Sequence, residues 1–424
     1  MNKIFITLPF WLKTVAFWIV SIIEKKKRKG IYYLNYKSKF IRNAQENINE
    51  REFIQNKALE IVKKTPYYQE KKIDSFEDIP IISKKIINDN YESFCSSEKA
   101  YKIISTSGTS GEQLSIPVSK KMYQKKFASY DSFRELNNMQ LNVPNANFFG
   151  REIFPIKRNK APFWLYSPFS KQLVFSQYHL NQNTIKAYLN ALELYNIKWI
   201  HGYPSFLNLF SELILEAELL KKTRNLNIKK ISTGSESLLS FQKQNIENVF
   251  GCKVIDFYGQ AESVAHIYTL KNNLYIDQSF SLIEFIHYRD NFYHIVGTQV
   301  DNENLPFIRY NTGDLVRLNE KNEILEIIGR IEDYIYLKDG RKISRLDHIF
   351  KTVMNLRESK IIQRKKGSAK ILINPTDKFS EKDLKDLKDS IENKLGSDFD
   401  FTIVKTDYIP KTKMGKLKFV ECSI

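Results

Sequence analysis

A chain of 424 residues with 42% hydrophobic and 27% charged residues has material for two or three domains and is no small stapled scaffold. Its three cysteines, Cys95, Cys252 and Cys422, form no C-x-x-C pair, so neither a disulfide framework nor structural zinc is expected, and a reducing, cytoplasmic setting is. The excess of 66 Lys+Arg over 48 Asp+Glu gives +18, which suits nucleic acid, anionic lipid or phosphorylated small molecules; the lysines are scattered and no RNP-type or helix-turn-helix signature accompanies them, so no specific nucleic-acid partner is expected.

Residues 1–30 form an apolar and basic leader. Phe10 to Ile23 is almost wholly apolar and runs into Lys25-Lys26-Lys27-Arg28-Lys29. Lys13 interrupts the stretch, and Thr14 to Ile23 would rise only about 15 Å as a helix, half of the roughly 30 Å hydrocarbon core. It is too short to span, and no small-residue cleavage site follows it. Two readings stay open: a helix packed on the body of the protein, or one lying at the inner face of the membrane with its lysines on anionic headgroups.

From about Ile185 helical and strand patterns alternate. A strand is expected at Ile197 to Ile200, a helix at Ser205 to Leu220, a strand at Lys229 to Thr233, a helix from Ser240 to Phe250 closed by Gly251, and a strand at Lys253 to Phe257. This rhythm predicts an α/β protein whose large N-terminal domain, residues 31–329, has mostly parallel sheets with covering helices and ligands at the carboxyl ends of strands. Beyond Gly329 to Asp333 the texture changes. Strands at Ile361 to Gln363 and Lys370 to Ile373 flank the turn Lys366-Gly367-Ser368. A helix Ser380 to Leu395 follows, with Ser380 and Asp383 as capping box and Gly396 as stop, then a strand at Phe399 to Val404. Residues 330–424 are therefore expected to be a small, mobile α+β C-terminal lid.

The chemistry is carried by segments spread over both parts. Thr106, Ser107, Gly108, Thr109, Ser110 and Gly111 form a hydroxyl- and glycine-rich loop after Ile103-Ile104, suited to presenting N–H and O–H donors to phosphates. It is no Walker loop, because Glu112-Gln113 stands where a lysine would follow Gly111. Tyr258-Gly259-Gln260-Ala261-Glu262, Tyr310-Asn311-Thr312-Gly313-Asp314-Leu315, Gly329-Arg330-Ile331-Glu332-Asp333 with Lys338-Asp339-Gly340-Arg341-Lys342-Ile343 after it, and Pro410-Lys411-Thr412-Lys413-Met414-Gly415-Lys416-Leu417 complete the set.

In this order and spacing the segments resemble the signature of adenylate-forming enzymes, the acyl-CoA ligase and luciferase superfamily, over about Lys102 to Lys418. His201-Gly202-Tyr203-Pro204-Ser205, Leu337-Lys338-Asp339-Gly340-Arg341 and the lysine-less loop resemble the phenylacetate-CoA ligase branch, especially the CapK-type proteins of capsular polysaccharide loci. The resemblance implies an enzyme that joins a carboxylic acid to ATP as an acyl-adenylate with Mg²⁺ and passes the acyl group to a thiol, coenzyme A, with decoration of a surface polysaccharide as one destination.

The residue types suit that chemistry. Two anions must be brought together, which calls for a cation and a metal. Glu262 is the candidate Mg²⁺ ligand, and Asp314 the acceptor for the ribose diol. Tyr258, with Gly259 after it, offers a face for adenine, and Gly234, Ser235 and Glu236 a turn for its other side. The resemblance assigns Arg330 to ribose or phosphate, Lys416 to the carboxylate and α-phosphate, and Glu332 to the pivot on which the lid turns. It also assigns the Lys338 to Ile343 loop to a tunnel for the thiol. Phe149, Arg151, His201, Gly202 and Tyr203, with Trp164 and Tyr166 nearby, are candidates for the acid pocket. Ala261 departs from the usual Thr or Ser, removing a hydroxyl bond to phosphate worth about 1–3 kcal/mol. That departure, the basic leader and the net charge leave a rival open: an inactive relative acting at a membrane surface or on nucleic acid.

Overall fold

The computed structural model describes residues 3–46, 48–106, 113–149, 152–330, 334–344, 346–350, 353, 355–412 and 417–424. Ser107, Gly108, Thr109, Ser110, Gly111, Arg151, Glu332 and Lys416 lie outside the described residues. The chain forms two compact units. One comprises Met1–Ile19, Asn142–Val254 and Ile331–Ile424, the other Val20–Leu141 and Ile255–Arg330.

In the first unit, five strands lie in the order Lys230–Gly234, Trp199–Gly202, Asn145–Phe149, Gln172–Ser176 and Trp164–Ser167. All neighbours pair parallel except the last two, which form an antiparallel hairpin. Helices Ile185–Leu194, Pro204–Glu216 and Ser240–Phe250 share an apolar core with this sheet, in which Phe148, Phe175, Tyr188, Phe206 and Phe210 are buried. The parallel βαβ pattern holds here as expected. Two bounds shift for local reasons. Asn196 turns with φ 47° and the Ile197 amide returns to the Leu192 carbonyl, so the strand starts at Trp199. The helix expected over Ser205 to Leu220 ends at Glu216, where Glu218 at φ 55° breaks it, and a separate short helix Leu220–Asn225 follows.

The C-terminal part of this unit has the strand order Asp400–Lys405, Ser368–Pro375, Leu356–Lys365, Val420–Cys422, with the central pair antiparallel and the flanking pairs parallel. Helix Glu381–Leu395 buries Leu387, Ile391 and Leu395 against Ile361, Ile371 and Ile373. Ser380 and Asp383 form the expected capping box. Arg357 pairs with Glu216, joining this sheet to helix Pro204–Glu216.

The second unit is built differently, and its strands pair antiparallel. Val254–Gly259, His266–Leu270 and Asn273–Ile276 form a meander. Leu282–Arg289, Phe292–Gln299, Phe307–Leu318 and Ile324–Arg330 form a four-stranded sheet in chain order. Helices Ile31–Glu46, Arg51–Val62 and Lys120–Leu136 contribute Tyr33, Phe40, Ile54 and Met122 to a core shared with Phe280, Phe307 and Ile308.

The meander and the four-stranded sheet meet as bare main chain. Gly297 is buried, and a Cβ there would stand 2.3 Å from the Val264 carbonyl oxygen, two residues beyond Glu262. A side chain would force the backbones apart, so Gly297→Ala is expected to destabilise the protein by about 1–3 kcal/mol, read as a lower urea midpoint at unchanged slope.

Candidate functional site

In the second unit, the strand Val254–Gly259 delivers the motif and the strand Phe307–Leu318 meets it. The Tyr258 hydroxyl donates to Asp314 at 2.6 Å and receives a hydrogen bond from Gln260 Nε2 at 2.6 Å. Gln260 Oε1 accepts the Ala265 amide at 3.3 Å, so the motif is cross-braced within itself. Glu262 is buried and accepts the Tyr310 hydroxyl at 3.1 Å. Burial and the Asp314 carboxylate raise the Tyr258 phenol well above its ordinary range, which keeps it a donor.

The run Asn311-Thr312-Gly313-Asp314 explains itself as a turn inside a strand. Gly313 takes φ 77°, its amide donates to Asn311 Oδ1 at 2.9 Å, and the Asp314 amide donates to Thr312 Oγ1 at 3.1 Å. These bonds aim Asp314, whose backbone pairs opposite Arg330 in the ladder with Ile324–Arg330. Gly259 has a steric reason as well. A Cβ would come within 2.7 Å of Phe257 Cε1 and 3.2 Å of His266 Cδ2.

Beneath the motif lies a buried polar triplet. Ser129 Oγ donates to Asp277 Oδ2 at 2.8 Å, so His266 Nδ1, 2.9 Å from the same oxygen, is the donor of that contact and carries the ring proton. Burial depresses the His266 pKa well below its ordinary value, the neighbouring Lys126 and Lys125 adding to it, and the neutral ring stacks on Phe280 at 3.5 Å.

The residue that the sequence does not announce is Lys126. It stands on helix Lys120–Leu136, half-buried, and its ammonium donates to the Gln260 carbonyl at 3.2 Å. Burial pulls its pKa down to about 8, against the upward pull of Glu262. It supplies a cation beside the motif glutamate in a protein whose hydroxyl-rich loop lacks the trailing lysine. Thr106 is buried at the neck of that loop, where its amide donates to the Leu114 carbonyl and its hydroxyl accepts the Leu114 amide, both at 3.0 Å. The hairpin Lys102–Ser105 with Ser115–Val118 carries the neck.

The remaining candidates fall in the first unit. Gly234 ends its strand, Ser235 follows in the left-handed region at φ 71°, and Glu236 turns inward. Its carboxylate accepts the Ser205 amide at 3.2 Å, an otherwise unmet donor at the start of helix Pro204–Glu216, and the Leu417 amide at 3.0 Å. Burial raises the Glu236 pKa, and these two amides oppose the rise. Glu236 thus holds the chain next to Lys416, while Lys411 on the other side of residues 413–416 pairs with Glu358 at 2.7 Å. Among the acid-pocket candidates, Gly202 is packed tight, its Cβ position 3.2 Å from both Leu207 and Phe148, and Tyr203 is buried in the apolar core. His201 is half-buried and its Nδ1 contacts Ser232 Oγ at 2.8 Å. Phe149 ends the strand Asn145–Phe149. Among the described residues, no group of three or more His, Cys, Asp or Glu side chains forms a metal-binding cluster.

Residues 335–422 match the family model described as the CapK C-terminal domain. Protein CapK of Staphylococcus aureus is 24% identical over 378 residues, covering 85% of this chain and 83% of the relative. A 2-hydroxyisobutyryl-CoA ligase in its postadenylation state, in complex with R3-HIB-AMP, superposes with a TM-score of 0.65 at 15% identity, over 87% of this chain and 89% of that one. The anthranilate-CoA ligase AuaEII in complex with anthranoyl-AMP superposes with a TM-score of 0.50 at 12% identity, over 74% and 65%. At such identities the likeness establishes the fold.

The Glu236 tether generates a direct expectation. A hydrogen bond to a charged group contributes about 1.5–3 kcal/mol, so Glu236→Ala should speed hydrogen exchange of the Leu417 amide by roughly ten- to a hundredfold, with exchange in helix Glu381–Leu395 unchanged, as read by mass spectrometry on C-terminal peptides.

Proposed function

Because the chain has the fold of the adenylate-forming acyl-CoA ligases and a CapK-type C-terminal segment, we propose that it uses ATP to activate a carboxylic acid as an acyl-adenylate and then transfers the acyl group to a thiol, coenzyme A. The observation that carries this reading is the paired bracing of Asp314 by Tyr258 and of Glu262 by Tyr310, which presents two buried carboxylates from adjoining segments.

Asp314 accepts the ribose diol, and Arg330, its ladder partner, lies on the same nucleotide path. Tyr258, held by its two hydrogen bonds, offers an aromatic face to the base, and the turn Gly234-Ser235-Glu236 is a separate candidate for adenine contact. Glu262 would hold Mg²⁺, an ion that favours one or two carboxylates together with phosphate oxygens and water. When bound, Mg²⁺ supplies charge neutralisation to the phosphates. Lys126 adds a positive charge beside Glu262 at neutral pH. Lys416 contributes the cation that meets the carboxylate and α-phosphate, and Glu236 positions it through the Leu417 amide. Residues 330–424 act as the lid, pivoting at Glu332 to bring the Lys338 to Ile343 loop to the thiol. His201 is a polar acid-pocket candidate alongside Arg151, and the run His201-Gly202-Tyr203-Pro204-Ser205 supports kinship with the phenylacetate-CoA ligase branch. The CapK likeness supports a surface polysaccharide as the final acyl acceptor.

The test is ATP–pyrophosphate exchange with aryl, fatty, hydroxy and amino acids, followed by thioester formation with coenzyme A. One acid class should support exchange, and Lys416→Ala should lower it by about 10²–10³-fold, the loss expected for a cation at developing charge. Absence of exchange with every class, together with no stabilisation of the fold by MgATP, would exclude the reading.

Lys126 adds a pH signature. The groups facing it are Glu262 and the neutral His266, and its pKa near 8 makes it cationic below that pH and neutral above. Nucleotide affinity in the wild type should therefore fall as pH rises from about 7.5 to 9, whereas Lys126→Arg, which stays protonated, should abolish that limb, as followed by ATP titration calorimetry.

A further inference from the structure

The helix Phe10–Arg28 wears its apolar face outward. Its inward side is held by polar and aromatic contacts. Lys13, only 3% exposed, donates to the Ile6 carbonyl at 2.6 Å and sits 4.8 Å above the Phe154 ring. Phe17 packs with Ile153, Phe154 and Leu165, Trp18 Nε1 donates to the Tyr166 carbonyl at 2.8 Å, and Glu24 pairs with Lys102 and accepts the Tyr123 hydroxyl. The one charge that interrupts the apolar stretch in sequence is thereby removed from the surface.

What remains outside includes a stripe at four-residue spacing, which on a 3.6-residue helix drifts only slowly around one face, with Phe10 and Val20 exposed away from it. Trp11 is 65% exposed, Val15 42%, Ile19 54% and Ile23 45%, and Ile31 and Leu34 on helix Ile31–Glu46 are exposed as well. From Trp11 to Ile23 the stripe runs about 18 Å along the axis. Lys25, Lys26 and Lys27 follow at its end and are exposed, the first of them already at the turn where the apolar residues stop. No described helix is long and apolar enough to cross a membrane.

We propose that this face is a docking surface for an anionic lipid bilayer, the helix lying in the plane of the interface with Trp11, Val15, Ile19 and Ile23 among the acyl chains and the lysine run on the headgroups. Charge selects this occupant. A second copy would bring its own +18 and the same lysine run against the first. A nucleic acid would use the lysines but has no use for four exposed apolar side chains in line. An anionic membrane uses both features, apolar area for insertion and basic residues for attraction.

The experiment uses the full chain and vesicles of phosphatidylcholine with or without about 30% phosphatidylserine, the anionic content providing the surface potential. The wild type should float with the anionic vesicles and less so at high salt, and the emission of Trp11 should shift to the blue, the shift vanishing in Trp11→Phe. Val15→Glu/Ile19→Glu and, separately, Lys26→Glu/Lys27→Glu should each weaken flotation by at least about tenfold while leaving ATP–pyrophosphate exchange and the unfolding midpoint unchanged, as expected of exposed sites. Wild-type protein that neither floats nor shifts its emission overturns the proposal. So does a wild-type dimer that Val15→Glu/Ile19→Glu converts to monomer, since a second copy then covers the face. Binding to single-stranded nucleic acid that displaces the vesicles and survives Val15→Glu/Ile19→Glu also overturns it, because charge alone would then account for binding. The Trp11 shift decides the matter even where a glutamate variant fails to fold.

Discussion

Two phenolic hydroxyls govern the arrangement of the second unit. Tyr258, near the end of one sheet, reaches Asp314 in another, and Tyr310, four residues before Asp314, reaches back to Glu262. One bond joins the strand Val254–Gly259 to Phe307–Leu318 and the other joins Phe307–Leu318 to the segment just after Gly259, so a shift of Phe307–Leu318 would break both. A buried carboxylate without a partner costs several kcal/mol, on the order of 3–5 where a partner is removed. Each acid is therefore stable only in the register that brings its tyrosine, and the geometry of the candidate site follows from the pairing of the strands.

The first unit applies the same device to backbone donors. Glu236 collects one amide from the start of a helix and one from the C-terminal segment, and a carboxylate that accepts N–H bonds tolerates burial because the bonds favour its charged form. Residues 413–416 are thus bounded by Lys411 on Glu358 and Leu417 on Glu236. Both ties fall on described residues that flank the segment in sequence, and each fixes a group whose ordering would otherwise cost conformational entropy.

How much of this was legible in sequence depends on the range of the forces involved. The helix Ser240–Phe250 with Gly251 at φ 69° and the capping box of Ser380 with Asp383 are settled within a few residues, and both were readable. The break at Glu218 was not, because no glycine or proline marks it. The antiparallel pairing of Leu282 to Arg330 depends on which strands meet, a question that local pattern leaves open. The motif residues Glu262, Asp314 and Tyr258 could be picked out because their neighbours resemble a known signature, and the tyrosine pairing gives those residues a physical reason to stand together. Lys126 carries no local mark among 66 basic residues, and its role arises from a helix more than a hundred residues away from Glu262 in the chain. Thr106 was assigned to phosphate, and its hydroxyl accepts the Leu114 amide at the loop neck.

Gly297 leads to a point about reading substitution data. The Val264 carbonyl occupies the space a side chain would take, so the platform under Glu262 is set by an absence of atoms. In an unbiased scan scored by activity alone, position 297 would group with Asp314 and Glu262, since every replacement disturbs the segment that carries the glutamate. A map of sensitive positions in this protein would consequently mix candidate site residues with one constrained by close packing on Val264, and abundance measured alongside activity is what tells them apart.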